Sequence, residues 1–501
     1  MTKHFLIIWC GLVGFAASAQ DDVDALRYSQ TTFYGDSRFM AMAGSFGALG
    51  ANVGCMNYNP AGIAVYRNGE FVLTPGIRVQ NTKSLHYDSA ATDFSTKFNI
   101  SNIGFVTAWD QANPYPSSSK AYAGWNQRHA FGISYNRLAD FNSNFTINGT
   151  APSTSMTQDF NNLAQGYGPS ALNGSYEWLA YQTGLIYLYT NDTTKYMADM
   201  NNATQAAPIL QTKNVKQSGR SGELAFTFAH AFDDKVYLGA TLGVPLIKYS
   251  RNSTYTEFDS KSRVPYFRSL QYEEQLVTSG SGVNLKVGGI YRVNESVRIG
   301  AYVHTPTLIN MNDNYQYTMT SGFDNYVWIP ANNDTALGGK QSYTGFFKYR
   351  LYTPMRAGVS AAYVYKHFLA ANIDAEFVDY GMARYKDNGN YLNSMNLVIA
   401  KKYTGTANIR AGAELNLQPF VIRVGYAGYG SPFGSFTGKF ARSMYTAGVG
   451  FKHKSNTYFD LGVLYSRWKE DYYLYDPSLV NATSLSNSVV YVTATVGVKF
   501  N

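Results

Sequence analysis

Apolar and polar residues alternate along much of this chain, most clearly at its C-terminal end. Val490, Val492, Ala494, Val496, Val498 and Phe500 fall on one face, and Tyr491, Thr493, Thr495, Gly497 and Lys499 on the other. A period of two over that length predicts a β-strand with one apolar and one polar face. From Ala407 to Leu417, Ile409, Ala411, Ala413 and Leu415 alternate in the same way with Asn408, Arg410, Gly412 and Glu414. In all, strands are predicted to begin near Glu70, Asn99, Arg128, Gly219, Lys235, Leu270, Ser296, Tyr343, His367, Thr404, Pro419, Ala441, Thr457 and Asn487. That makes about fourteen, an even number, as bacterial membrane barrels have. Alternation alone does not separate a barrel with a polar lumen from a soluble sandwich, whose charged face would meet bulk water.

The connections favour the barrel. Short turns are predicted at Phe232-Asp233-Asp234, Val293-Asn294-Glu295, Lys366-His367, Gln418-Pro419 and Lys454-Ser455-Asn456. Between them fall longer polar loops: Asn81 to Phe98, Phe141 to Gln217, Ser250 to Arg268, Met311 to Ser342, Lys386 to Tyr403, Gly430 to Lys439 and Asp476 to Ser486. Such short–long alternation is what periplasmic turns and extracellular loops produce. Gln111 to Gln127 is an irregular, longer connection on the short side. Phe141 to Gln217 is too long to lack structure, and helix is expected around Ser175 to Tyr187. The Asn-x-Ser/Thr matches at Asn144 and Asn148 read as loop composition.

The segment Arg38 to Gly62, RFMAMAGSFGALGANVGCMNYNPAG, breaks this pattern. It is rich in Gly, Ala and Met and nearly free of charge, which suits close backbone packing. Pro60 fixes its own φ and pushes Asn59 toward an extended conformation, so Asn59-Pro60 marks a bend; Gly62 can then take a positive φ. The preceding DDVDALRYSQ suits a short helical turn. We read residues 20–67 as a compact plug and 68–501 as the wall around it. Residues 1–19 have the form of a secretory signal: Lys3, an apolar core from Phe5 to Phe15, and Ala17-Ser18-Ala19 before the cut. Cys10 lies in that core after Trp9 and does not suit a lipoprotein site. Only Cys55 then remains, read as a small buried residue with no disulfide partner.

Residues Arg38, Met40, Met42, Gly44, Phe46, Asn59, Pro60, Ala61 and Gly62 resemble the N-terminal hatch of the FadL/TodX outer-membrane transporter family. SGSGVNLKVGGIYRVNESVRIGAYVHTP, TPMRAGVSAAYVYKHFLAANIDAEFVDYG and ANIRAGAELNLQPFVIRVGYAGYGSPF are similar to its wall hairpins. The ending departs, because Phe500 is followed by Asn501 where a terminal aromatic is usual. The resemblance implies a transmembrane antiparallel β-barrel of about 14 strands, plugged by its own hatch. It also implies uptake of long-chain fatty acids or aromatic hydrocarbons. Two other roles attach to such barrels, a partner in protein secretion and a receptor for haem compounds. No His/Tyr spacing here compels the last.

Composition agrees with a membrane barrel. Aromatic residues are 16%, with 42 Tyr, charged residues are only 15%, and mean hydropathy is −0.24. Aromatic girdles, an apolar band and a polar lumen require such a balance. Past the N-terminus, no run reaches the ~20 apolar residues of a spanning helix. Net charge is +8 with Lys and Arg spread singly, which excludes a nucleic-acid footprint. The seven His form no HExxH and no close pair, no Gly-x-Ser-x-Gly is present, and Gly44 to Gly50 lacks the Lys-Ser/Thr of a phosphate loop. No enzyme activity, metal or cofactor is expected.

Two sets of residues carry the site expectations. Arg356, Asp374, Glu376, Arg410, Glu414 and Arg423 sit on polar strand faces. They read as lumenal ion pairs that brace the wall and hold the plug, or as the anchor for a ligand carboxylate. Phe39, Met40, Met42, Phe46 and Met56 read as packing between plug and wall, or as a greasy ligand path, which flexible Met side chains suit. The expected partners are a hydrophobic small molecule and the lipid and lipopolysaccharide of a Gram-negative outer membrane. Secretion components are the alternative, and the protein is expected to act as a monomer.

Overall fold

The structure, a computed structural model, describes residues 22–111, 127–190, 192–202, 207–389, 392–434, 441–452 and 456–500. The signal-like residues 1–19 and most of the irregular connection after Gln111 lie outside these.

Fourteen antiparallel strands close into one barrel. They are β1 (Gly69–His86), β2 (Ser89–Gln111), β3 (Gln127–Asp140, then Ser143–Ala151), β4 (Ile209–Phe232), β5 (Val236–Phe258) and β6 (Phe267–Arg292). Next come β7 (Val297–His304, then Leu308–Phe323), β8 (Lys340–Tyr352, then Arg356–Tyr365), β9 (Leu369–Asp379, then Arg384–Lys386) and β10 (Gly405–Leu417). The last are β11 (Phe420–Tyr429), β12 (Arg442–Lys452), β13 (Thr457–Tyr472) and β14 (Thr483–Phe500). Each pairs with its neighbours in sequence. β1 closes the circle on β14, from Gly69 opposite Phe500 to Leu85 opposite Ser484. Closure leaves no sheet edge at the ends.

Exposure separates the barrel from the sandwich. Val490, Val492, Val496 and Val498 are 40–42% exposed on the outside, while Tyr491, Thr493 and Thr495 are 1% exposed inside. A soluble sandwich buries its apolar face; this wall buries its polar one. Aromatic pairs mark both rims of the outer surface. Phe105 stacks on Phe500 and Phe420 lies beside Phe451 at the end of the termini, and Tyr426 lies beside Tyr445 at the other. Among the described residues, no helix is long and apolar enough to cross a membrane. Val492→Arg, within the outer band, is expected to cost about 2–4 kcal/mol of folding free energy in lipid vesicles. Ser488→Arg, at the upper rim, is expected to cost about 0–1 kcal/mol. Urea titration of both variants checks this.

Four of the turns at the end of the termini fall where expected, with Asp233 and Asp234 both at positive φ; the fifth, Lys454-Ser455-Asn456, lies largely outside the described residues. At the far end the strands run longer than their hydrophobic pattern. The expected loop Asn81 to Phe98 is instead a tight hairpin about Tyr87, and β2 starts at Ser89 instead of Asn99. β4 likewise starts at Ile209, not Gly219. Above the apolar band both faces turn polar, so alternation fades while the backbone ladder continues.

The loops of that end fold over the mouth. α3 (Met156–Ala164) is closed by a capping box from Ser155 and Gln158, and α4 (Glu177–Gln182) falls inside the predicted helical stretch. Phe160, Leu179, Ile186, Ile329, Tyr255 and Leu270 form one apolar cluster there. α5 (Asn393–Lys402), between β9 and β10, had no signal in the pattern.

Candidate functional site: the plug, its anchors and a break in the wall

Residues 22–66 occupy the lumen. They fold as α1 (Asp22–Ser29), as predicted, the short helix α2 (Ser37–Ala41), and 3₁₀ turns Val53–Asn57 and Pro60–Val65. Small residues on both sides let plug and wall approach. A side chain on Gly239 of β5 would meet the backbone of Pro60 and Ala61 at about 2.5 Å, and one on Gly288 of β6 would overlap the Asn59 amide.

Asn59 is the working residue of the NPAG element. Its backbone is extended (φ −112°), its side-chain oxygen accepts from the Ala61 amide, and its Nδ2 donates to the carbonyls of Gly47 at 2.6 Å and Gly289 at 3.1 Å. Pro60 takes the first helical position, where its missing N–H costs nothing. One side chain therefore caps a turn, ties two parts of the plug and docks them on β6. The expected positive φ at Gly62 is not found. Gly62 lies inside the 3₁₀ turn, and it is glycine because a Cβ would strike Cys55 at 2.7 Å. Gly288→Ala is expected to push the Asn59 turn off the wall and expose the plug to trypsin, read as new cleavage before residue 68.

All six charged residues expected in the lumen face it, and the structure joins them into two lattices. In the first, Arg356 donates to Glu376 at 3.0 Å, and Arg410 lies 3.8 Å from Asp374 and 3.9 Å from Glu376. Asp374 also accepts from the amides of Phe46 and Gly47, and Arg356 donates to the Ser29 carbonyl of α1 at 2.6 Å. In the second, Glu414 takes Arg423 at 2.6 Å and Arg38 of the plug at 2.8 Å, and Arg423 also reaches Asp460 at 2.7 Å. Plug backbone and plug charge are thus tied to β8, β9, β10, β11 and β13. Asp460, and the buried Glu223–Lys286 pair, were not singled out in the sequence. Both lie on alternating faces, where the signal was available.

Phe39, Met40, Met42, Phe46 and Met56 are all buried, at 0–1% exposure. Phe39 stacks on Phe46 at 5.3 Å, Met42 fits against Gly412 and Gly425, and Met56 against Gly132. They pack plug against wall. A cavity of about 60 Å³ lies elsewhere, beneath α1, among Tyr28, Tyr58, Glu223, Lys286, His304 and Arg356. None of the five lines it.

The wall is incomplete at one place. The lower half of β3 pairs with β2 only as far as Asn136 opposite Asn102. Its upper half, Ser143–Ala151, pairs with β4 alone and folds inward over the inner face of the first hairpin. Arg78 donates to the Asn142 carbonyl at 2.8 Å, Gln80 to Ser143, Ser84 to the Thr146 carbonyl, and Asp93 accepts from the Thr146 amide at 2.7 Å. Asp140, 2.8 Å from Arg137 and 3.4 Å from Arg78, sets the kink. Among the described residues, the edge of β2 from Ala90 to Ser101 has no ladder partner on that side. Phe94 and Phe98 stand on its outer face, 66% and 70% exposed. Behind it, Ser101 donates to the Gly35 carbonyl of the plug and Tyr491 to Asn99. This break in the ladder is a notch in the wall, and it adjoins the plug.

No family model matches the sequence, and no curated protein matches it. Solved structures do match the fold. A FadL homologue of Pseudomonas aeruginosa is 12% identical, with a TM-score of 0.54 over 94% of this chain and 100% of its own. The toluene transporter TodX of Pseudomonas putida is 10% identical, with a TM-score of 0.52 over 94% and 99%. The toluene transporter TbuX of Ralstonia pickettii is 14% identical, with a TM-score of 0.50 over 95% and 100%. By these end-to-end superpositions, as by its own strand order and lumenal plug, the chain has the fold of the FadL/TodX channels.

Proposed function

We propose that the protein is an outer-membrane channel for passive uptake of hydrophobic small molecules, with long-chain fatty acids or aromatic hydrocarbons as the substrate class. The observation that carries this reading is the notch between β2 and the inturned half of β3. A water-soluble solute needs a pore along the barrel axis, and here the plug fills that axis. An apolar solute gains by leaving sideways into lipid, and the exposed Phe94 and Phe98 stand where it would emerge. The apolar loop cluster over the mouth would collect it. The Phe39–Phe46 and Met40–Met42–Met56 packing would yield a path when the plug shifts.

The test is transfer of a fluorescent fatty acid and of an aromatic hydrocarbon into proteoliposomes. Faster entry than into protein-free vesicles is expected. Entry of both solutes no faster than into protein-free vesicles, together with secretion components co-purifying from native membranes, would favour the secretion role instead.

A further inference from the structure

We infer that the outer face of β8 and β9 is a binding surface for a membrane lipid with a multiply phosphorylated headgroup. This rests on reading the chain as an outer-membrane barrel, and it concerns the lipid around the wall, not the transported solute.

Along the upper half of β8, Tyr349 and Leu351 point into the lumen and Lys348 and Arg350 point out. On the short upper piece of β9, Tyr385 points in and Arg384 and Lys386 point out. The register sets Arg350 directly opposite Lys386, and Tyr352 opposite Arg384. Like charges facing each other across a ladder oppose pairing, and this pairing is only three residues long. Among the described residues, none of the four cations makes an ion pair, and Arg384 reaches only the carbonyls of Gly381 and Ala383, whereas the lumenal Arg356, Arg410 and Arg423 are each paired with a carboxylate. Positive charge without a carboxylate partner therefore stands on this outer face.

Its height is specific. Just below, exposed Met355, Met382, Leu308 and Val359 continue the lipid-facing band. Above, Lys348 lies 5.2 Å from the ring centre of Phe346. The cations thus stand where the apolar band ends, at the level of lipid headgroups. They also continue round the barrel. Arg220, Lys248, Ser279, Asn312 and Lys348 are in register across five adjacent strands. Four inter-strand steps make that row about 19 Å long, and because barrel strands are tilted it runs obliquely across the upper end of the band. A row of cations and neutral hydrogen-bonding side chains over an apolar band matches an amphiphile with several phosphates and several acyl chains. Guanidinium groups suit phosphate by forked hydrogen bonding. The lipopolysaccharide of an outer leaflet has that chemistry.

The experiment compares the full chain with a Lys348→Gln/Arg350→Gln/Arg384→Gln/Lys386→Gln variant in detergent. Native mass spectrometry and a fluorescence titration read binding of bisphosphorylated lipid A. At least tenfold weaker binding by the variant is expected, with both proteins equal toward dephosphorylated lipid A. A control removes equal charge at the opposite rim (Lys235→Gln/Arg292→Gln/Lys366→Gln/Lys452→Gln) and should bind like the parent. Equal losses in the two variants, no loss in either, or equally tight binding of inorganic phosphate would overturn the inference. Solute transfer, measured in vesicles free of phosphorylated glycolipid, tests the uptake reading separately.

Discussion

Oxidation of a Ser37→Cys/Thr493→Cys variant is expected to stop solute transfer, and a reductant is expected to restore it. The hydroxyls of Ser37 and Thr493 lie 3.0 Å apart, buried between the plug and β14. Two sulfurs placed there would start about 1 Å beyond the ~2.05 Å length of an S–S bond. The only other described cysteine, Cys55, is buried inside the plug and should not compete. The bond would fix the Ser37–Ala41 helix to the wall behind the notch. If a solute crosses by displacing the plug, the oxidised protein should transfer at least tenfold more slowly while remaining folded. Ser37→Ala/Thr493→Ala, which loosens the same contact, should transfer at least as fast as the parent. Full transfer by the fully oxidised form would mean that the path avoids the plug.

The wall was legible in the sequence because its two faces meet different media. Wherever lipid lies on one side and buried polar side chains on the other, as at Val490–Phe500 and Ile409–Leu415, every second residue reports the strand. Where the strands rise above the band, as at Asn81–Phe98, that contrast disappears, and a continuous ladder reads as a loop. The plug was legible by its smallness. Gly47, Gly54 and Gly62 are surrounded so closely that a Cβ at any of them would meet an atom within 3 Å. The inward charges could be named from alternation, but not their pairing. Glu414 meets Arg38 across 376 residues of sequence, a distance that only barrel closure and the plug's position define. The notch had no local signal. Phe141-Asn142 resembles any loop start, and what makes it a kink is Arg78, on another strand, holding the Asn142 carbonyl.

Glu414→Ala should have the second largest effect, on stability and on leakage together. The Glu414 carboxylate accepts from Arg38 through Nε at 2.8 Å and Nη2 at 3.0 Å, and from Arg423 through Nε at 2.6 Å. Removing it leaves two guanidinium groups facing one another in a nearly dry lumen. Arg423 keeps Asp460. Arg38 keeps only the Ala51 carbonyl of its own plug and the ring of Phe46. Breaking a buried ion pair by deleting one partner costs about 3–5 kcal/mol. The Arg38 side chain is 23% exposed, so the lower part of that range is expected. The loss falls on the join between plug and wall, so it should also raise ion conductance across planar bilayers above that of the parent. Glu414→Gln keeps an acceptor of the same shape and should lie between the two. Asp460→Asn touches the wall pair without touching the plug, and should lower the urea midpoint without raising conductance. If Asp460→Asn leaks as much as Glu414→Ala, the lattice braces the wall alone and the plug is held by the Phe46 and Gly47 amides on Asp374 and by the Asn59 side chain on the Gly289 carbonyl.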